Sequence, residues 1–437
     1  MTLPVPTWRL AIVAAALAPV LLLLPGNGWS RLIIVDATLV LVALVDAAVA
    51  TAPSKVPVAR TVPGVLSLGA EATVSWDVTN ATSRPLKVAI ADQLAPSMHA
   101  GTRRFRARVP RQGHATATTQ IRPSRRGRFE IRDLTVRVEG PLGLGARQST
   151  RQSSSILRVL PPFKSREEAE LRINRARILE VGLRSAQGRG AGTEFDQLRE
   201  YAPDDEFRRI DWSATARTGK VIVRTYRAER NQTVLLLLDS GRVMAGQVDG
   251  VPRLEHAMDA VMMMTAVSTR LGDRTGLLAF GRSVRAVVPP SGGHAQLSRI
   301  THAMYDLDAQ LAESDYRAAF TEAMARFRRR ALVVVLTELT EPVIEETLLP
   351  ALPAMVRHHL VIVAGVRDPD VVRWAGDRPD DADGAYRKAA AVSALDERRR
   401  AIARLRGMGA TVIDAVPGRL APELADTYLR VKATGRL

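Results

Sequence analysis

Two apolar runs break off in polar residues, and these breaks are the first places to look for chemistry. "TVLLLLDS" closes on Asp239 and Ser240, and "ALVVVLTE" closes on Thr337 and Glu338. Two carboxylates and two hydroxyls drawn together would offer four oxygens, the ligand type that a hard cation such as Mg²⁺ takes. The competing reading is local: an Asp just past a strand caps the next loop or helix start. Other chemistries have thinner support. The chain has no Cys and seven His, so thiol nucleophiles and Cys-ligated zinc are excluded. Ser240 lacks the glycine-flanked elbow of a strand-to-helix nucleophile. His294, His302, His358 and His359 fall in no triad context, and there is no Walker-type phosphate loop. The expectation is a protein that is not an enzyme, with a hydrolase as the minor alternative.

For those two strand ends to meet, they must be neighbours in one sheet. From Thr233 onward, apolar strand-like runs alternate with helical patterns. "TVLLLLD", "TGLLAF", "VRAVVP", "ALVVVLTE", "HLVIVAGV" and "GATVIDA" are the runs in order, and the near-continuous apolar character of "TVLLLLD" marks a strand buried on both faces. The helix expected over Arg253–Leu271 carries "MMM", read as core packing rather than a ligand box. The pattern predicts a doubly wound α/β domain over 233–437 with one antiparallel edge. In such a sheet the first and fourth strands adjoin at the switch in winding, where ligands gather beyond the carboxyl ends.

Upstream the patterns differ. Leu10–Leu24 and Leu32–Ala50 are apolar, joined by "PGNGWSR" (Pro25–Arg31). They predict a two-helix transmembrane hairpin over 1–52. A signal peptide is the rival, and the second run argues against it. Asp36 and Asp46 interrupt the second run and are read as acids near span ends, within reach of headgroup water. Arg9, Lys55 and Arg60 flank one side and Arg31 the other, which favours a cytoplasmic bulk in the cell membrane. Over 56–161 the pattern alternates with period two, as in "ATVSWDVTN" and "FEIRDLTVRVEG", and predicts a β-sandwich-like domain. The Arg-rich turn Arg122–Arg128 is read as solvated, with headgroup contact as its alternative. Net charge is +17 but aromatics make up only 4%. With no zinc finger or RNA-recognition signature, membrane lipid is an expected partner and nucleic acid is not.

The segment 162–232 begins helical, loosens into a Gly-rich linker and reaches "EFDQLREYAPDDEFRRIDW", Glu194–Trp212. Pro203 begins a turn, and Asp204 or Asp205 is suited to cap the next one, with Glu206 favoured beside it. Ile210 and Trp212 could plug a neighbouring surface, while Arg208, Arg209 and Asp211 pair across the joint. A turn at Gly219 and an alternating strand follow. Such a stretch is either a strut between domains or a surface for a partner.

The α/β pattern resembles the von Willebrand factor A fold, whose metal-ion-dependent adhesion site reads Asp-x-Ser-x-Ser in its first loop. Here "DSGRVM" keeps Asp239 and has Gly241 and Val243 in place of the two serines; Glu338 is a loose match for the late acid. The nearest region for the family's middle-loop Thr is "PPSGGH", Pro289–His294. The resemblance therefore implies a degenerate Mg²⁺ site at Asp239, Ser240, Thr337 and Glu338. "GTEFDQLREYAPDDEFRRIDWSATARTGKVIVRTYRAERN" resembles the signature of the bacterial domain of unknown function fifty-eight, and "RRGRFEIRDLTVRVEGPLGLGAR" (Arg125–Arg147) resembles its upstream signature. Its candidate interaction positions are Glu194, Tyr201, Pro203, Asp204, Asp205, Arg209, Asp211, Trp212, Arg217 and Gly219. Members are often encoded beside MoxR-type AAA+ ATPases. The resemblance implies a membrane-anchored adaptor working with such an ATPase on a client protein, in complex assembly or envelope and stress functions. A cell-envelope scaffold acting without an ATPase is the alternative.

Overall fold

The computed structural model describes residues 3–23, 27–186, 194–203, 205–227 and 231–434. The chain divides into two compact units, Met1–Leu160 and Pro161–Leu437.

The first unit opens with β1 (Leu3–Pro6), then two helices, α1 (Trp8–Leu23) and α2 (Gly28–Val49). Asn27 caps α2 through its side chain. One helical stretch, Gly28–Lys55, is long and apolar enough to cross a membrane, and α1 is a shorter apolar helix with Pro19 inside it. The rest is β: β2 (Val58–Thr61), β3 (Val65–Ser67), β4 (Ala72–Asn80), β5 (Leu86–Asp92), β6 (Arg104–Val109), β7 (Gly113–Ile121), β8 (Gly127–Glu139) and β9 (Gly145–Leu160). One sheet runs β1-β9-β8-β5-β6 with β3 added on β9; the other is β2-β4-β7. Period-two alternation turns Val74, Trp76 and Val78 of one sheet and Val88, Ile90, Leu134 and Val136 of the other into a shared core. That core also encloses an ion pair. Arg60 reaches Asp92 at 2.7 Å with both side chains fully buried, the Trp76 indole N–H donates to Asp92, and Arg60 donates to the Ile131 carbonyl.

This arrangement corrects two sequence expectations. Arg60 is not a basic flank facing headgroups, because its charge is enclosed with Asp92. Asp46 does not reach for water: it is 3% exposed, and its carboxylate accepts the backbone N–H groups of Leu142, Leu144 and Gly145. Asp36 stays exposed, about two turns inside the start of α2. Strand β1 carried no recognisable sequence signal. It pairs antiparallel with β9, Leu3 opposite Gln148, so the chain leaves this sheet to form α1 and returns to it after α2.

The second unit begins with α3 (Arg166–Ala186), a hairpin of β10 (Glu194–Glu200) and β11 (Ile222–Arg227), and α4 (Trp212–Thr218) between those strands. Next come β12 (Thr233–Asp239), a short ladder of β13 (Gln247–Val248) and β14 (Val251–Pro252), α5 (Arg253–Arg270), β15 (Arg274–Phe280), β16 (Val284–Ser291), α6 (Ala295–Met304), α7 (Tyr316–Arg326) and β17 (Leu332–Leu336). The chain ends with α8 (Glu341–Val343), a π-helical turn, α9 (Leu349–Val356), β18 (Leu360–Val366), α10 (Pro369–Gly376), α11 (Ala382–Gly407), β19 (Thr411–Ala415) and α12 (Leu420–Ala433). The π turn, Ile344–Leu348, joins α8 to α9.

Six strands form one sheet in the order β16-β15-β12-β17-β18-β19, parallel except for the antiparallel edge β16. Strand β12 shows why the sheet needs helices on both faces. Leu236 and Leu238 point into one core with α5 and α12, while Leu235 and Leu237 point into the other with α7 and α9. Met262, Met263 and Met264 are all buried in the first of these. The winding switches where β15 and β17 flank β12, so Asp239 and Thr337 stand at neighbouring strand ends.

Candidate functional site

Asp239 ends β12 and is fully buried. A buried carboxylate needs donors, and four arrive from three parts of the chain. Oδ1 accepts the Gly241 N–H at 2.8 Å and the Ser314 hydroxyl at 2.5 Å. Oδ2 accepts the Tyr316 hydroxyl at 2.6 Å and the Thr337 hydroxyl at 2.7 Å. Burial first, and then the negative charge of Asp239, push the Tyr316 pKa well above its ordinary value, so the phenol keeps its proton and donates. Phe280 and Phe320 pack edge-on against the Tyr316 ring and hold it there.

The four residues expected to share one cation do not share one task. Thr337 joins Asp239. The Ser240 hydroxyl instead donates to the Phe280 carbonyl at 2.7 Å and ties the first loop to β15. Glu338 lies between two guanidiniums: Arg253 from α5 at 2.8 Å, and Arg398 from α11. Arg398 also pairs with Asp414 at the end of β19. Asp239 therefore sits among hydroxyls and Glu338 among arginines. Among the described residues no group of three or more His, Asp or Glu side chains could hold a metal. This donor set does not fit Mg²⁺. Each Asp239 oxygen already accepts two hydrogen bonds, and Glu338 is matched by fixed positive charge. The capping alternative is the closer description, since Gly241 N–H is held by Asp239 in the turn that follows β12.

Sequence reasoning missed Ser314 and Tyr316. It sought the middle-loop hydroxyl in Pro289–His294, but Ser291 pairs with Thr275, at the opposite end of the sheet from the Asp239–Phe280 pair. A local signal was present in "ESDYRAAF". Asp315 caps α7 by accepting the Ala318 N–H, and this cap fixes Ser314 and Tyr316 on either side of it.

The second candidate is the β10–β11 module. Asp211 is buried, accepts the Ala214 N–H as the cap of α4, and pairs with Arg224 of β11 at 2.8 Å. The hydrogen bond from Arg224 is the main cause of its lowered pKa. Asp205 does not cap the turn after it. It takes both guanidinium arms of Arg199 and the Ala202 N–H, and the Arg199 bond holds its pKa below the usual range. Arg209 pairs with Glu206 three residues away rather than across a joint. Gly219 ends α4 at φ +70°, a left-handed position that suits glycine. Glu194 starts β10 opposite Arg227, and Pro203 is exposed in the turn. Arg217 is exposed and donates to the Ser213 carbonyl. Asp204 lies outside the described residues. Trp212 does not plug a neighbouring surface: it is 70% exposed, as is Phe207 at 75%, and Tyr201 stacks beside Phe207 at 5.6 Å.

A doubly wound α/β unit with a self-satisfied acid at its winding switch, preceded by a two-stranded hairpin with exposed aromatics between its strands, defines the class. The model of the family described as protein of unknown function DUF58 matches residues 197–373. Uncharacterized proteins of Mycobacterium tuberculosis and Mycobacterium bovis are 25% identical over 182 residues, 41% of this chain and 56% of theirs. The chain thus spans about half the length of the curated relatives it matches. Among solved structures, an Escherichia coli alpha-2-macroglobulin matches at 17% identity and a TM-score of 0.21, over 25% of this chain and 7% of that one. The CARDB domain of a Pyrococcus furiosus protein matches at 11% identity and a TM-score of 0.16, over 23% and 85%. Scores that low carry no argument.

Proposed function

We propose that this protein is a membrane-anchored adaptor that binds other proteins and has no catalytic activity of its own. The observation that carries the reading is the contrast within the β10–β11 module. Its charges are held by internal pairs, Arg199–Asp205 and Asp211–Arg224, while Phe207 and Trp212 are left bare. Rigid elements presenting exposed aromatics beside arginines are what binding hot spots are made of, and Arg208 and Arg217 are exposed nearby. The α/β unit is read as von Willebrand factor A-like on its strand order, its antiparallel edge and the acid closing its first strand. Its partner is read as a MoxR-type AAA+ ATPase, from the family resemblance. A catalytic role has little support: His358 and His359 precede β18 and His294 follows β16, all at the end of the sheet away from Asp239.

The anchor is read as a two-helix hairpin because both of its ends are tied to one strand. β1 pairs with β9 before α1, and Asp46 near the end of α2 grips the turn that opens β9. If α2 crosses a bilayer, the chain must cross it twice to satisfy both ties. The large units are read as cytoplasmic on the flanking charges Arg9 and Lys55 against Arg31.

The test is photocrosslinking from position 212 in native membranes, with and without ATP. A nucleotide-dependent adduct with an AAA+ ATPase is expected. An adduct set of envelope proteins alone would replace the ATPase adaptor with a scaffold, and no adduct from 212 or 207 would sink the surface.

A further inference from the structure

The turn joining β8 to β9, "GPLGLG" from Gly140 to Gly145, is clasped by both helices of the first unit. Asp46 of α2 accepts the Leu142 N–H at 2.8 Å, the Leu144 N–H at 2.8 Å and the Gly145 N–H at 2.9 Å. From the start of α1, the Thr7 hydroxyl donates to the Gly143 carbonyl at 2.5 Å, and the Thr7 N–H to the Leu144 carbonyl. A Cβ on Gly145 would collide with the Ala43 carbonyl and one on Gly140 with Asp46, so both glycines permit backbone to meet helix. The clasp leaves the tip outside: Leu142 is 63% exposed. With Pro141 it lines an apolar recess against Leu41, Val42, Val45 and Val49 of α2.

The depth of that recess decides what covers it. Helix α2 has 22 residues, about 33 Å, barely more than the roughly 30 Å of a hydrocarbon core. Val45 and Val42 lie about 6 and 10 Å back from its last residue, Val49. A turn packed at that level is below the headgroups. Irregular backbone at such depth needs internal partners, and Asp46 and Thr7 supply them. The same end of the unit carries Arg84 and Arg111, both exposed, in the turns flanking β5 and β6. Trp8, 54% exposed, opens α1 there with Arg9 against its ring. Apolar tip, interfacial Trp and basic rim are the order in which a bilayer with anionic headgroups is met.

We propose that the β-sheet unit seats directly on the bilayer, with the Pro141–Leu142 tip inserted among lipid acyl chains and Arg84 and Arg111 at the headgroups. This rests on the membrane-anchor reading above. It also disposes of the Arg122–Arg128 turn, which precedes β8 and so lies a strand length, roughly 40 Å, from the clasp. Its exposed residues, Arg122, Ser124, Arg125 and Arg128, are left in solution, while Arg126 is buried.

The chain has no Cys, which makes the test direct. Leu142→Cys and, as a control at the far end, Ser124→Cys are labelled with an environment-sensitive fluorophore in the full chain. Each is reconstituted into phosphatidylcholine–phosphatidylglycerol vesicles with or without brominated acyl chains. Flotation with the vesicles and several-fold stronger quenching at 142 than at 124 are expected. Flotation with equal quenching at the two sites overturns the seating and leaves the anchor. Disulfide dimers of the unlabelled Leu142→Cys variant without quenching would assign the recess to a second copy, which also overturns it. Failure to float removes the anchor and the seating together.

Discussion

Replacing Asp239 by Ala tests whether the acid at the winding switch is a fold element held by protein donors or a cation ligand. The substitution leaves the Gly241 N–H and the hydroxyls of Ser314, Tyr316 and Thr337 without their acceptor, and all of these but Ser314, which is half-buried, are buried. The Tyr316 and Thr337 oxygens lie 2.7 Å apart, so one hydroxyl can donate to the other; three donors are left, and two of them, the Gly241 N–H and the second hydroxyl of that pair, are buried. Each buried donor without a partner costs about 1–3 kcal/mol, and the lost side-chain volume adds to that. The expected loss is about 3–5 kcal/mol. In a unit as long as Pro161–Leu437 this lowers its melting temperature by roughly 6–12 °C. Asp239→Asn should cost less, about 1–2 kcal/mol, because hydroxyls can turn to accept from the new amide. Calorimetry of the detergent-solubilised full chain reads both, in EDTA and in millimolar Mg²⁺. A loss below about 1 kcal/mol for Asp239→Ala would refute the cradle. So would a wild-type transition that rises with Mg²⁺ and falls with EDTA, since binding to the native state stabilises it by mass action.

Other expectations follow from the same geometry. Tyr316 and Tyr428 are both raised by burial and by a neighbouring acid, Asp239 and Asp273 respectively. Their stabilisation is complete below the unfolded tyrosine value near pH 10 and is lost as pH climbs above it. The lost stability amounts to about 1.4 kcal/mol per pH unit for each. Denaturant unfolding of Tyr316→Phe between pH 9 and 11 should show a shallower slope, and an unchanged slope counts against it. In the first unit, Asp92→Ala should cost about 3–5 kcal/mol by leaving Arg60 buried and unmatched. Trp76 fluorescence should shift with it, because the indole N–H loses its acceptor. Trp212→Ala should leave hydrogen exchange in β10 and β11 unchanged, whereas Asp211→Ala should speed exchange at Ala214 and along β11. Equal effects of the two would return the module to the role of a strut.

Much of the α/β unit was readable because its logic is local. A run such as "TVLLLLD" is apolar on both faces, and that alone places β12 inside the sheet. Alternation with helical patterns then made Asp239 and Thr337 neighbours, as the pairing of β12 with β17 has them. The partners of the acids were not readable. Ser314 and Tyr316, on either side of the α7 cap, lie 75 and 77 positions from Asp239, and nothing in "ESDY" names its target. Glu338 was read as a ligand because it closes an apolar run, and the arginines that engage it, Arg253 and Arg398, come from two different helices. Asp46 was harder still. Its partners are backbone amides 96 to 99 residues away, and backbone carries no sequence signal. Trp212 misled for the opposite reason: an aromatic beside charges suggests burial, and it is exposed.

The first strand has a consequence in time. β1 pairs with β9, Leu3 opposite Gln148, so its partner leaves the ribosome about 145 residues later. At about 5–20 residues per second that is a wait of roughly 7–30 s. Throughout it, the N-terminal strand is an open edge ahead of two apolar helices, able to pair with the wrong chain. Assembly of this sheet is thus ordered by synthesis. β9 can close the sheet on β1 only after everything between them has been made. A translational pause placed before β9 should lengthen that exposure and lower the yield of folded protein, whereas the same pause after Leu160 should not.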